Sequence, residues 1–303
     1  MISTKFTIEN QVGESITLND HSDPQKVIAL QSYPQFQAGV KNNEVRKQGQ
    51  HGVWDFNNFY DKKLIIFEGV IVGRNEKEVD ELKQKLNTVV SLPARPRGDN
   101  DLVTVSWKGI DEKHWQIDAK LFDSINYNRR MKQTYRLDFR FILKAPDPFI
   151  IGKQKIRRQG TRGYIGSGAS FPLEMPTIMG EAEVNVMTID YKGQVDAEPK
   201  ITLYGEDQGD ITNPRIIDLT RDIEFKVETT LEGSDDYIVI DSKDGTVVDS
   251  NGDDISGLIA SGSQFITLPA GVAELSYKSD EDPLVTLQSP TAVWNLSFRE
   301  RKI

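Results

Sequence analysis

Residues 133–145 read Gln-Thr-Tyr-Arg-Leu-Asp-Phe-Arg-Phe-Ile-Leu-Lys-Ala, and no other stretch limits the fold as strongly. Side chains alternate across a strand with a period of two. Tyr135, Leu137, Phe139, Phe141 and Leu143 therefore share one face, and Arg136, Asp138 and Arg140 share the other. A strand this apolar on one side and this charged on the other needs a sheet with one face on a core. The other face meets water or a partner. Ala145-Pro-Asp-Pro-Phe149 closes the run, because two prolines cannot continue a ladder of hydrogen bonds.

One segment carries the other period. In residues 75–90, Val79, Leu82, Leu86 and Val89 or Val90 recur at steps of three and four, which predicts an amphipathic helix. Asn75 is a good N-cap, and Glu78 stands where it can reach back toward it. Pro93 and Pro96 stop the helix. Around it, short β-branched runs predict strands at 5–8, 15–18, 27–30, 64–73, 102–108 and 114–122. From about residue 181 the pattern is all β, with short strands expected from 183–191 to 292–298, including 265–268 and 284–287. Turn residues separate them at the spacing of a β-sandwich. The fold class is mainly β with one clear α-helix. Three parts are expected: 1–150 as a β domain with its helix, 151–180 as a linker or loop rich in glycine, and 181–303 as a β-sandwich.

Composition removes several function classes. The 303 residues contain no cysteine, so disulfides, thiolate zinc sites and cysteine nucleophiles are out. The N-terminus lacks the basic start and apolar run of a secretory signal, and no apolar stretch approaches the ~20 residues that span a bilayer. A soluble chain that does not use the usual export route is expected. Residues 1–148 hold 22 Lys+Arg against 20 Asp+Glu, and residues 149–303 hold 15 against 26. The acidic second part argues against general nucleic-acid binding there.

The sequence carries few signatures of chemistry. There is no G-x-S-x-G, H-E-x-x-H or G-x-x-x-x-G-K-[ST], and His21, His51 and His114 are the only histidines. No enzyme activity, cofactor or metal is expected. Asp55 and Asp61 can be read as a glycosidase acid pair, but the neighbouring Trp54, Phe56, Phe59 and Tyr60 read better as an interface anchor. Residues 241–254 are rich in Asp. They read either as a calcium loop or as two tight turns at Asp244-Gly245 and Asn251-Gly252. The calcium reading lacks glycine at the sixth place and Glu at the twelfth. The basic stretch with Arg157, Arg158 and Arg162 reads as a solvated loop or one that docks on an acidic neighbour. Trp294, with Arg299 or Arg301, is a candidate glycan contact, although its alternating surroundings read as a buried strand.

The order of these features resembles the distal tail (Dit) proteins of siphophages. The resemblance rests on four features. They are the helix at 75–90 within a β domain, the stop at 145–149, Pro199, Ile201, Leu203 and Gly205 of a P-x-I-x-[LIV]-x-G strand, and Ser263, Phe265, Leu268 and Gly271 of a later strand-to-turn segment. Val272 departs from the Asn usual after that glycine. The resemblance implies a split-barrel-like N-terminal domain and a galectin-like C-terminal sandwich. It implies a homohexameric ring at the tip of a virion tail, assembled in the bacterial host cytoplasm, with DNA passing through without specific binding and no contact with a membrane. Its implied partners are the tail tube protein, the tail-associated tip protein and a receptor-binding protein. The ring interface is expected among Trp54, Phe56, Phe59, Tyr60, Arg157, Arg158 and Arg162. The competing reading is a carbohydrate-binding lectin or adhesin, secreted or on a virion.

Overall fold

A computed structural model describes residues 4–46, 53–91, 102–129, 135–161, 164–165, 183–184, 186–206, 210–280 and 292–303. The chain divides into two compact units. Unit 1 is Met1–Lys153 with Lys302–Ile303, and unit 2 is Gln154–Arg301.

Unit 1 holds β1 (Phe6–Glu9), β2 (Ser15–Leu18), β3 (Val27–Leu30), β4 (Gln35–Arg46), β5 (Val53–Val72), α1 (Glu76–Val90), β6 (Val103–Lys108), β7 (His114–Leu121), β8 (Asn126–Asn128), β9 (Arg136–Ala145) and the start of β10 (Ile150–Thr161). Antiparallel pairing runs β2-β1-β6-β7, passes from β7 to β9 at Lys120↔Lys144 and Leu121↔Leu143, and continues through β5 to β3. A sheet that curls in this way closes most of its own edge. The alternation seen in the sequence decides which side faces in: Leu137, Phe139, Phe141 and Leu143 are buried. Phe141 stacks on Phe67 of β5 with centroids 4.9 Å apart. Burying each such ring is worth about 2 kcal/mol. Gly69 permits the close packing beside them. A Cβ there would lie 2.5 Å from both the Ala29 carbonyl oxygen and the Phe139 ring.

Helix α1 lays Val79, Leu86, Val89 and Val90 on this core. Asn75 caps it, its side chain accepting from the Glu78 N–H at 2.9 Å. The Glu78 carboxylate reaches one residue further back than expected and accepts from the Arg74 N–H at 2.8 Å. One orphan donor of the helix start, the Glu78 N–H, and the N–H just before the cap are thereby satisfied.

Unit 2 holds the rest of β10, β11 (Tyr164–Ile165), β12 (Glu183–Val184), β13 (Met187–Tyr191), β14 (Lys200–Tyr204), β15 (Asp210–Thr212), β16 (Arg215–Asp218), β17 (Ile223–Lys226), β18 (Thr230–Glu232), β19 (Tyr237–Asp241), β20 (Thr246–Asp249), a 3-10 turn (Ser256–Leu258), β21 (Gly271–Lys278) and β22 (Val293–Lys302) up to Arg301. One sheet runs β10-β22-β14-β19-β20 and the other β13-β21-β16-β17, all antiparallel where the register is given. Ile201, Leu203, Ile240, Leu296 and Trp294 from the first sheet share one core with Ile216, Phe225, Leu275 and Tyr277 from the second. This is a β-sandwich. The strand expected at 265–268 is instead a single bridge from Leu268 to Ala197, and 284–287 lies outside the described residues.

One expectation needs correction. The stretch from 151 onward, read as a linker, begins as strand: Ile151 to Thr161 are all but the first residue of the twelve-residue β10. Ile156 packs on the unit 2 core, and Gly160 lies against Trp294. An inward Ile and a glycine that admits an indole give this polar run one face to bury.

Candidate interaction surfaces

The aromatic candidates fall on one element. Trp54, Phe56, Phe59 and Tyr60 all lie on β5, opposite Val45, Asn43, Lys41 and Val40 of β4. Pairing of β5 with β9 begins only at Lys63. From Val53 to Lys62, β5 therefore pairs with β4 alone among the described residues, and the two form a ribbon beyond the sheet. Register shifts at Ala38/Val40 and Lys41/Asn43 mark bulges, which bend and twist such ribbons. At its base Tyr60 is 47% exposed and its cross-strand partner Val40 is 56% exposed. Tyr60 meets Phe149 edge-on at 6.1 Å. An isolated two-stranded ribbon is marginal in water, so this one has most to gain from a partner.

Asp55 and Asp61 stand on the same strand, six residues apart. At about 3.3 Å per residue their backbones are about 20 Å apart, well beyond the roughly 5–9.5 Å between the carboxyl groups of a glycosidase pair.

Arg157 and Arg158 are exposed on β10, and Arg162 lies outside the described residues. Lys155 is exposed beside them. Arg158 donates to the Arg157 carbonyl oxygen at 3.3 Å, and none of the three cations makes an ion pair among the described residues.

The acidic run 241–254 is built as turns. Gly245 and Gly252 have φ of +68° and +88°, as tight turns at these dipeptides require. The Asp249 carboxylate accepts from the N–H groups of Asp253 at 2.8 Å and Asn251 at 2.9 Å. The Asp253 N–H leads the bonds that lower its pKa. Burial pushes Asp241 up, but the Lys200 ammonium and the Asp244 and Lys243 N–H groups outweigh it, and its pKa is also lowered. These oxygens are spent on backbone donors.

Trp294 is a core residue, 1% exposed, and its indole nitrogen would lie 2.4 Å from a Cβ at position 160. It offers no face to a sugar ring. Arg299 is exposed; Arg301 is buried and pairs with Glu198 at 2.7 Å. Its backbone N–H donates to the Tyr191 hydroxyl, which donates to the Val195 carbonyl. Arg301 ties the end of β22 to β13 rather than reaching for a ligand.

Two buried charges escape sequence reading. In unit 1, Lys63 is 1% exposed and its Nζ has no hydrogen-bond partner among the described residues. Burial drives its pKa down to about 8; Asp147 acts to raise it and Lys302 to lower it. In unit 2, Asp218 is fully buried but saturated by the Thr220 N–H, the Arg221 N–H and the Arg221 guanidinium at 2.7 Å. Arg221 in turn holds Thr267.

No family model matches the sequence, and no curated protein matches it. Solved structures do. The Dit protein (gp 19.1) of phage SPP1, described as a paradigm of the hub adsorption apparatus of phages infecting Gram-positive bacteria, aligns over 98% of this chain and 99% of its own, with a TM-score of 0.66 and 12% identity. Chains of the activated phage P2 baseplate, solved with Ca and with Sr, align at 11% and 10% identity. They cover 99% and 98% of this chain and 98% of their own, both with a TM-score of 0.46. The chain has the fold of the SPP1 Dit protein over almost its whole length.

Proposed function

We propose that this chain is the distal tail protein of a long-tailed bacteriophage, a non-enzymatic hub in the tail tip. The observation that carries the reading is the alignment over 98% of this chain and 99% of the SPP1 hub protein. Unit 1 forms a ring of six copies around the DNA channel. A closed ring needs a heterologous contact, in which two different patches of one copy meet its two neighbours. The ribbon of β4 and β5, with Tyr60, Val40 and the aromatic positions Trp54, Phe56 and Phe59, is one of these patches. One face of the ring takes the tail tube protein and the other the tip protein. Unit 2 carries the receptor-binding protein. The chain acts in the virion after assembly in the host cytoplasm. The burial of Trp294 and the backbone separation of Asp55 and Asp61 both weigh against sugar chemistry as the main task.

Light scattering with negative-stain imaging of the same peak tests this. The expected result is a six-fold ring of about six times the 34.2 kDa chain, lost when Tyr60 and Val40 are both replaced by Asp. A wild-type chain that remains monomeric at every concentration overturns autonomous ring formation.

A further inference from the structure

We infer that unit 2 also joins copy to copy, with the basic strand β10 of one chain against the acidic far edge of the same sheet in the next. This deepens the ring reading above and rests on it.

The strand order is β7-β10-β22-β14-β19-β20, but β7 reaches only Ile151 and Gly152 of β10. Beyond them β10 pairs with β22 on one side and, among the described residues, with no strand on the other. The outer part of β10 is therefore one edge of this sheet, and β20 is the other. Residues 154–301 hold 13 Lys+Arg against 26 Asp+Glu, so unit 2 is strongly acidic. Four of those 13 cations, Lys155, Arg157, Arg158 and Arg162, crowd into eight positions on β10 and just past its end. The other edge is the reverse. Residues 241–254 hold Asp241, Asp244, Asp249, Asp253 and Asp254 with Lys243 as the single cation. Charge is thus sorted to opposite edges of one sheet.

Exposed lysines and arginines on an edge strand ordinarily keep a neutral strand from pairing there. They also leave the edge open to one kind of partner, an acidic surface. This chain supplies that surface itself, and a second copy presents it. Pairing like edges would set cations on cations, so the contact must join β10 to β20, head to tail. That is the heterologous arrangement a ring requires. The contact is made by side-chain charge and not by added strand pairing. The outer backbone of β20 is already engaged, with the Ile255 N–H on the Val247 carbonyl at 2.8 Å and the Asp249 N–H on the Asp253 carbonyl at 3.0 Å. Asp244 and Asp253 are exposed, and their carboxylates make no hydrogen bonds among the described residues. Lys155, Arg157 and Arg158 are equally exposed and make no ion pair among the described residues. Such a contact is screened by salt.

The test follows the dissociation of the full-length oligomer on dilution, by light scattering, at about 50 mM and about 500 mM salt. K155E/R157E/R158E is expected to raise the dissociation midpoint at least tenfold at low salt and to abolish its salt dependence. D244K/D253K is expected to do the same. Combining both sets in one chain reverses the polarity of both edges and restores the wild-type midpoint. Circular dichroism melts of each variant check that the fold is kept. A triple variant whose midpoint stays within twofold of wild type overturns this contact and leaves the ring intact. A wild-type chain that is monomeric throughout overturns both readings. A triple variant that keeps its midpoint but loses retention on duplex DNA assigns the strand to nucleic acid instead, which also overturns the contact.

Discussion

Lys63 of unit 1 and Asp218 of unit 2 are both shut away from water, but their surroundings differ. Asp218 receives two backbone N–H groups and a guanidinium, and that guanidinium is fixed in turn by Thr267. The Lys63 ammonium meets no acceptor among the described residues; Asp147 and Lys302 act on it only through their charge. The contrast separates burial from stability. A buried charge with its hydrogen bonds complete holds a turn in place, whereas one without them is a cost that the surrounding core must offset.

Removing Asp218 should produce the largest effect. Asp218→Leu leaves two N–H groups and the Arg221 guanidinium without their acceptor, and should cost about 4 kcal/mol in denaturant unfolding of the unit 2 transition. A loss under about 1 kcal/mol would mean that water replaces the carboxylate freely. Gly69→Ala tests the unit 1 core against Gly160→Ala in unit 2. The first drives a methyl onto a backbone oxygen, which cannot swing away, and should cost about 3 kcal/mol; the second meets an indole and a methionine methyl and should cost about 1–2 kcal/mol. Equal losses would show that Trp294 is as immovable as the β3 backbone.

A last effect has the opposite sign. Lys63→Met keeps the stem and discards the charge, and should stabilise unit 1 by about 2 kcal/mol at pH 7. The folded-state pKa of about 8 lies below the ordinary 10.5. Between these values the unfolded chain binds the extra proton, so wild-type stability rises with pH. Below about 8 the penalty is constant. The advantage of the methionine variant should therefore shrink from pH 8 toward 10.5, and thermal melts at pH 7 and pH 10 measure it. An unchanged advantage at pH 10 would show that Lys63 remains protonated with a partner.

Much of this was legible in the sequence where one period dominates. The step of three and four gave α1 to within a residue, and strict alternation marked β9 from Arg136 onward. The two Asp/Asn-Gly dipeptides announced their turns. The outer half of β5 was not legible. Asp55, Asn57, Asn58, Asp61 and Lys62 are poor strand formers. Asp55 lies opposite Glu44, and the other four fall at the two register shifts, held in the strand because Phe56, Phe59, Tyr60 and Lys63 beside them pair with β4. β4 itself is mostly polar and gave no signal. Lys63 was missed for the same reason. Once β5 is extended back past Leu64, the period of two sets Lys63 beside Ile65 and Phe67 on the core face. Which aromatic positions form a surface depended on that pairing, and pairing is a long-range fact.

The twenty-residue β5 has a mechanical consequence. Its inner part is matched to β9 at ten successive positions, Lys63↔Ala145 through Val72↔Arg136, while its outer part belongs to the ribbon. The two parts are one covalent strand. A pull along the ribbon arrives at the core as shear, loading those ten pairs together instead of unzipping them one at a time. The ribbon is thus tied down by the longest unbroken ladder among the described residues of unit 1.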